Sequence, residues 1–131
     1  MKKDIDFPQN QNVVLAIAPS EFEQWDVFLI NNGSEEITNI LVSSSGFGFD
    51  DKGEKVSTST LRHFFDNLQG ASFLAVEKID PTVFHLNNEY WISYWIDGTL
   101  FDRRFLFVPD SITEQNCIQV SILDKSAVLH A

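Results

Sequence analysis

The sequence predicts an all-β fold, an antiparallel β-sandwich of about seven or eight strands with one or two short helical turns. Short apolar runs recur along the chain, turn residues separate them, and no helical segments alternate with them. Two aromatic runs that meet at Asp97 and Gly98 have the alternation typical of a β-hairpin. The 131 residues contain no internal repeat or linker, so residues 1–131 are expected to form a single domain.

The first predicted strands are short and strongly apolar. Residues 12–18 (NVVLAIA) form a buried run that ends at Pro19, and residues 25–31 (WDVFLIN) form a second run. The turn residues at 32–36 lead into a third strand at 37–45, where apolar residues alternate. The second and third of these strands are expected to pair as neighbours.

The middle of the chain is less regular. Residues 46–54 (GFGFDDKGE) are predicted to form a flexible acidic loop. Residues 56–65 (VSTSTLRHFF) favour a strand because they are rich in β-branched and hydroxyl side chains, although residues 61–68 are also compatible with a helical turn. Residues 71–79 (ASFLAVEKI) form the next strand.

The last third of the chain begins with the long hairpin at 90–108. A short turn is predicted at 110–116, after Pro109, and residues 117–123 (CIQVSIL) are predicted to be the last strand. These elements complete the predicted sandwich.

The hairpin has two predicted faces, because a two-residue turn at Asp97 and Gly98 sets the pairing of its strands. One face is expected to be core, with Arg103 as its only charge; it consists of Tyr90, Ile92, Tyr94, Ile96, Phe101, Arg103, Phe105 and Phe107. The other face is too aromatic for ordinary exposure and too polar for a dry interior; it consists of Trp91, Ser93, Trp95, Leu100, Asp102, Arg104 and Leu106.

The second face is the best candidate for a functional surface. Trp and Arg are enriched at the energetic centres of protein interfaces, and Trp91 opposite Arg104 permits a cation–π contact. We therefore expect a binding surface for a protein partner or a second copy of the chain, formed by Trp91, Trp95, Leu100, Arg104 and Leu106. The alternative is that the chain covers this face itself, with its N-terminal segment, the Phe47 to Phe49 loop or the turn at 110–116.

A weaker candidate site lies near Arg62, His63 and the 46–54 loop. Hydroxyl residues at 57–60 precede Arg62 and His63, and a hydroxyl nucleophile with a histidine base would be the catalytic interpretation. Neighbours in a strand point to opposite faces, so adjacency does not supply that geometry. No catalytic residue is predicted and a non-enzymatic domain is expected. A small-molecule-binding or enzymatic domain at this site is the alternative.

Neither a metal nor a cofactor is predicted. The acidic residues Asp50, Asp51 and Glu54 do not have the spacing of an EF-hand and are expected to form a solvated turn. The glycines at 46 and 48 lack the third glycine and the following helix of a dinucleotide-binding loop. The histidines are scattered, and Cys117 has no second cysteine with which to form an internal disulfide.

Charge and hydropathy narrow the expected partners and the compartment. Nineteen acidic and nine basic residues give a net charge of −10, which opposes binding to nucleic acid. The start, MKKDIDFPQNQN, is not followed by an apolar run of signal-peptide length, and no window approaches the roughly 20 apolar residues of a membrane span. We expect a cytoplasmic protein that binds neither nucleic acid nor membranes.

Four segments resemble a family of short uncharacterised bacterial proteins with an immunoglobulin-like β-sandwich: WDVFLINNG from Trp25, TSTLRHFF from Thr58, LNNEYWISYW from Leu86 and FDRRFLFVPDSITEQN from Phe101. The resemblance implies an immunoglobulin-like fold. Some similar sequences carry the label of a phenylalanyl-tRNA synthetase alpha subunit, from which a translation-linked accessory role would follow. The arginine motifs with which class II synthetases bind ATP are absent, and the net charge opposes tRNA.

Overall fold

Ten strands form two antiparallel sheets in the computed structural model, which describes residues 11–131. The prediction of an all-β sandwich is confirmed, and the helical turns are short 3-10 turns at Pro81–Val83, Glu114–Asn116 and Ser121–Leu123. The strands are β1 (Val13–Pro19), β2 (Trp25–Asn31), β3 (Ile37–Phe49), β4 (Lys55–Ser57), β5 (Leu61–Leu68), β6 (Ser72–Ile79), β7 (Asn87–Ile96), β8 (Thr99–Phe107), β9 (Ile118–Val120) and β10 (Lys125–His130).

The first sheet has the order β6-β2-β1-β10-β9, and the second has the order β4-β3-β7-β8, with β5 also paired to β3. The core lies between them. Its largest fully buried side chains come from both inner faces: Leu15, Ile17, Leu29, Ile40, Ile92, Tyr90, Tyr94 and Phe105. Burial of this apolar area, at roughly 25 cal/mol per Å², is the main stabilising contribution.

The chain itself covers the middle of the outer face of the first sheet, although Phe73, Ile118 and Leu129 on that face remain exposed. Strand β1 is buried on both faces, which explains its continuous apolar run. Its outward residues belong to a second apolar cluster with β2 and the segment that includes Ser121–Leu123: Val14, Ala16, Ala18, Phe28, Ile30, Val120, Leu123 and Ala127. The outer face of the second sheet has no comparable cover within residues 11–131, since Trp91 and Phe64 remain 45% and 59% exposed.

The predicted pairing of the strands at 25–31 and 37–45 is wrong, because β2 and β3 belong to different sheets. The chain crosses between the sheets at residues 32–36, and the buried Asn31 side chain stabilises the crossing. Its Nδ2 donates hydrogen bonds to the carbonyl oxygens of Glu35, Leu68 and Gln69 at 2.8, 3.2 and 3.2 Å. Its Oδ1 accepts one from the Gly33 amide at 3.0 Å.

The first residues of the predicted loop at 46–54 belong to strand β3, and only the later ones form a turn. Strand β3 continues to Phe49, because β4 and β7 pair with it on either side: Phe47 lies opposite Ser57 and also opposite Asn87. The turn proper is confined to the residues that follow, where the Asp50 carboxylate accepts hydrogen bonds from the amides of Lys52 and Glu54.

Two further boundaries differ from the prediction. The strand expected at 56–65 divides into β4 and β5. Residues 61–68 form a strand and not a helical turn, because β5 pairs with β3 along its length. Sequence periodicity does not predict that pairing. The segment expected to be the last strand, 117–123, divides into β9 and a 3-10 turn. Asp124, at φ 55°, then reverses the chain into β10, so there are ten strands instead of seven or eight.

Candidate functional site

The hairpin register matches the prediction at every pair from Tyr90 and Phe105 to Ile96 and Thr99. The predicted core face is buried, apart from Phe101 and Arg103, which are partly exposed. Arg103 is accommodated there because its Nη1 donates to the carbonyl oxygen of Val13 at 2.8 Å and its guanidinium lies 4.7 Å from the Phe105 ring centroid. Trp91 and Trp95 lie on the opposite, solvent-facing side.

The exposed side of the hairpin continues across four strands. Trp91 lies opposite Ser43 of β3, which lies opposite Arg62 of β5, so one row joins Arg62, Ser43, Trp91 and Arg104. We call this surface the outer face; it consists of Leu41, Ser43, Ser45, Arg62, Phe64, Asp66, Glu89, Trp91, Ser93, Trp95, Leu100, Asp102, Arg104 and Leu106.

Its exposed apolar residues form a connected apolar strip: Leu41, Phe64, Trp91 and Trp95. The sequence predicted the tryptophans on this surface but not Leu41 and Phe64. The period of two in β3 points Leu41 away from the core residues Ile40 and Val42, so its orientation was predictable from the sequence. The position of Phe64 on the same surface was not predictable, because it depends on the pairing of β5 with β3, which the pattern of either strand does not specify.

Arg104 has a defined geometry on β8, the edge strand of the outer face. Its guanidinium carbon lies 5.7 Å from the Trp91 ring centroid, and its Nε donates to Glu89 Oε2. The ion pair offsets the charge of Arg104 while the cation–π contact restricts the indole ring. Beside it, burial raises the pKa of the Asp102 carboxyl above its ordinary value.

Arg62 and His63, predicted to be one weak site, lie on opposite sides of the second sheet. Arg62 belongs to the outer face and makes no hydrogen bond or ion pair within the described part of the chain. His63 points towards the first sheet, where its Nε2 donates to Glu77 Oε1 at 2.8 Å. Among the neighbouring hydroxyls, Thr58 Oγ1 accepts from the Gly46 amide and donates to the carbonyl of Ser59. These contacts do not bring a hydroxyl nucleophile to His63.

Glu77 accepts hydrogen bonds from side chains on three strands of the opposite sheet. Its carboxylate, on β6, accepts from His63, from Ser44 Oγ at 3.1 Å and from Tyr90 Oη at 2.9 Å, while only 9% of its side chain is exposed. Burial, followed by the negative charge of Glu77, raises the pKa of the Tyr90 phenol well above its ordinary value. The phenol therefore stays protonated and serves as a donor.

The segments considered as covers for the hairpin lie elsewhere. The turn at 110–116 contributes Ile112 to the core between the sheets, and Phe47 and Phe49 continue β3 on the same side of the sheet as Leu41 and Ser45, within the strand and not over the hairpin. Trp91 remains 45% exposed. The start of the N-terminal segment, residues 1–10, lies outside the described residues.

No family model matches the chain, and no curated protein is significantly similar to it. The resemblance to the immunoglobulin-like bacterial family therefore stays a prediction. Within residues 11–131, no helix has the length and apolar character needed to cross a membrane. The same part of the chain contains no group of three His, Cys, Asp or Glu side chains placed to hold a metal ion.

Proposed function

We propose that this domain is a non-enzymatic, cytoplasmic interaction module that associates with a second copy of itself through the outer face. The observation that carries the proposal is the exposed apolar strip on the outer face of the second sheet. The C-terminal segment covers the middle of the first sheet's outer face, where Phe73, Ile118 and Leu129 remain exposed, whereas no segment within residues 11–131 covers the apolar strip. Contiguous exposed apolar surface on a small domain marks a binding site.

The arrangement of the apolar strip is self-complementary. Phe64, Leu41, Ser93 and Asp102 form one row across the four strands. A two-fold axis along this row would place each residue against its symmetry mate in the same strand. Phe64 and Leu41 would then contact their own copies, and Trp91, two residues before Ser93, would contact Trp95 of the second copy, two residues after it.

The charges on β5 suit the same axis. Arg62 and Asp66 lie two residues on either side of Phe64, so Arg62 would face Asp66 of the second copy twice in the dimer. Asp102, which lies on the axis, would face its own copy and therefore a like charge. Its carboxyl is already less easily ionised than an ordinary aspartate, which reduces this repulsion.

The size of the outer face predicts a weak dimer. Strands about 4.8 Å apart and about eight residues of strand length give roughly 500 Å² per copy. Stable interfaces bury about 800 Å² per partner, so we expect reversible association with a dissociation constant on the order of micromolar or weaker. The net charge of −10 opposes association at long range, and added salt should strengthen the dimer by screening that repulsion.

Sedimentation equilibrium across a concentration series tests the proposal. We expect a monomer–dimer equilibrium for the wild type and a monomer at all concentrations for Trp91→Ala combined with Phe64→Ala, with an unchanged melting temperature. Phe22→Ala removes an exposed aromatic residue from a turn outside the outer face and should associate like the wild type. A wild type that stays monomeric at millimolar concentration, or a double variant that still dimerises, would contradict the proposal.

A further inference from the structure

A cleft of about 200 Å³ opens between the two sheets beside Glu77, on the inner side of the second sheet and away from the outer face. Its walls come from β3, from the segment between β4 and β5, and from the end of β6. Its lining includes the buried residues Ser44, Asn88 and Tyr90. The residues that line it include none of the outer-face side chains except Ser45.

Asn88 contributes a side-chain acceptor that no described residue uses. Its side-chain Nδ2 donates to the carbonyl oxygens of Val83 and Leu86 at 3.0 and 3.2 Å, and these two bonds fix the orientation of the amide. The residue is only 5% exposed, and no donor in residues 11–131 reaches its Oδ1. No fully buried side-chain nitrogen or oxygen among the described residues lacks a partner, so the unpaired Oδ1 is accessible to solvent and available to a molecule that enters the cleft.

Glu77 supplies a second acceptor. Its Oε1 accepts two hydrogen bonds, from Ser44 and His63, whereas Oε2 accepts one, from Tyr90. A carboxylate oxygen has room for two, so Oε2 retains capacity for another donor. The charge there is held in a largely desolvated position, where it attracts a cation more strongly than an exposed carboxylate does.

The described residues that line the cleft provide no unpaired basic side chain for an anion. Among the described residues around the cleft, Lys78 is the basic side chain, and its Nζ is 2.7 Å from Asp26 Oδ1 in an ion pair. Asp80 adds a second carboxylate to the lining. A ligand that suits these groups must donate hydrogen bonds, and positive charge favours its binding.

We propose that this cleft binds a small organic cation with an ammonium or guanidinium group, which donates hydrogen bonds to Glu77 Oε2 and Asn88 Oδ1. The cleft is smaller than the roughly 300 Å³ and above typical of drug-sized ligands, so the ligand is a short amine or guanidine. Gly46 keeps the entrance open, because a Cβ there would lie 3.4 Å from Asn88 Oδ1 and 3.2 Å from Thr58 Cγ2. This site is separate from the proposed self-association.

Titration of the ¹⁵N-labelled protein with butane-1,4-diamine and with guanidinium, at constant ionic strength, tests the proposal by NMR. Saturable shifts are expected at the backbone amides of Ser44, Gly46 and Asn88 and at the Asn88 side-chain amide. Inorganic phosphate and glycerol serve as comparison probes and should produce no saturable shifts there. Absence of saturation with both cations, or equal binding of glycerol, would overturn the proposal.

Variants separate a specific site from general attraction to an acidic protein. Glu77→Gln keeps the shape of the side chain and removes its charge, so binding should weaken about tenfold or more. Gly46→Ala narrows the entrance without touching the Glu77 hydrogen bonds and should also weaken binding, which keeps the test decisive if Glu77→Gln fails to fold. Asp51→Asn makes the same charge change on an exposed turn and should bind like the wild type. Unchanged affinity in Gly46→Ala or in folded Glu77→Gln would refute the site.

Discussion

Tyr90 Oη lies 2.9 Å from Glu77 Oε2, and this hydrogen bond links β7 of the second sheet to β6 of the first. Together with the hydrogen bonds from His63 and Ser44, it forms a polar cluster between the sheets. The cluster joins β3, β5 and β7 of the second sheet to β6 of the first. Because the carboxylate is mostly buried, each donor compensates part of the cost of desolvating its charge.

Tyr90→Phe tests this connection, because it keeps the ring in the core and removes only the hydroxyl. We expect a loss of about 1.5–3 kcal/mol in the free energy of unfolding at pH 7, as for other hydrogen bonds to charged groups. Urea denaturation measures it. The same change in a Glu77→Gln background should cost clearly less, because the acceptor then carries no charge. An equal loss in both backgrounds would show that the charge of Glu77 adds nothing to this hydrogen bond.

Asn31→Ala should destabilise the domain by at least about 2 kcal/mol, because it leaves the buried carbonyl oxygen of Leu68 and its neighbours without their donor. Thermal unfolding with matched denaturant curves measures the effect. Asn32→Ala changes an exposed asparagine next to it and should lie within about 0.5 kcal/mol of the wild type. Similar stability of the two variants would mean that the crossing between the sheets does not depend on the Asn31 amide.

A charge exchange tests the geometry of the proposed dimer. Arg62→Asp alone and Asp66→Arg alone each place like charges in contact and should weaken self-association about tenfold. An equimolar mixture of the two variants restores opposite charges at both contacts, so it should form a heterodimer. Sedimentation velocity with one fluorescently labelled variant detects this species. If the mixture associates no better than either variant alone, the two-fold axis through Phe64 is wrong.

Asp102→Asn should strengthen the dimer at neutral pH, because the two Asp102 carboxylates would face each other on the axis. The raised pKa means that the folded monomer binds a proton more readily than the unfolded chain, so this contribution to folding stability is present at low pH and is lost as pH rises from the ordinary value of 3.8 through the raised pKa. Association should have the same sign for a separate reason: protonation removes the repulsion between the two facing carboxylates, so the wild-type dimer should strengthen as pH falls through this window. The variant should lose that part of the pH dependence, as measured by sedimentation equilibrium in a buffer series; an unchanged pH profile would place Asp102 away from the contact.

The sequence alone was sufficient to predict the hairpin and the residues on each of its faces. The Asp97 and Gly98 turn and the period of two are local properties, so the register of β7 and β8 and the side of the hairpin on which Trp91 lies followed from residues near one another in the chain. The positions of β1, β2 and β6 followed from short apolar runs between turn residues for the same reason.

Only the tertiary structure decided how these strands combine. The pairing of β3 with both β5 and β7 joins Phe64 and Leu41 to Trp91, and the assignment of β2 and β3 to different sheets gives Asn31 its role at the crossing. The meeting of Tyr90, His63 and Glu77 depends on the packing of one sheet against the other. These contacts link residues far apart in the chain, and the periodicity of a strand specifies which side a residue faces but not which strand lies beside it.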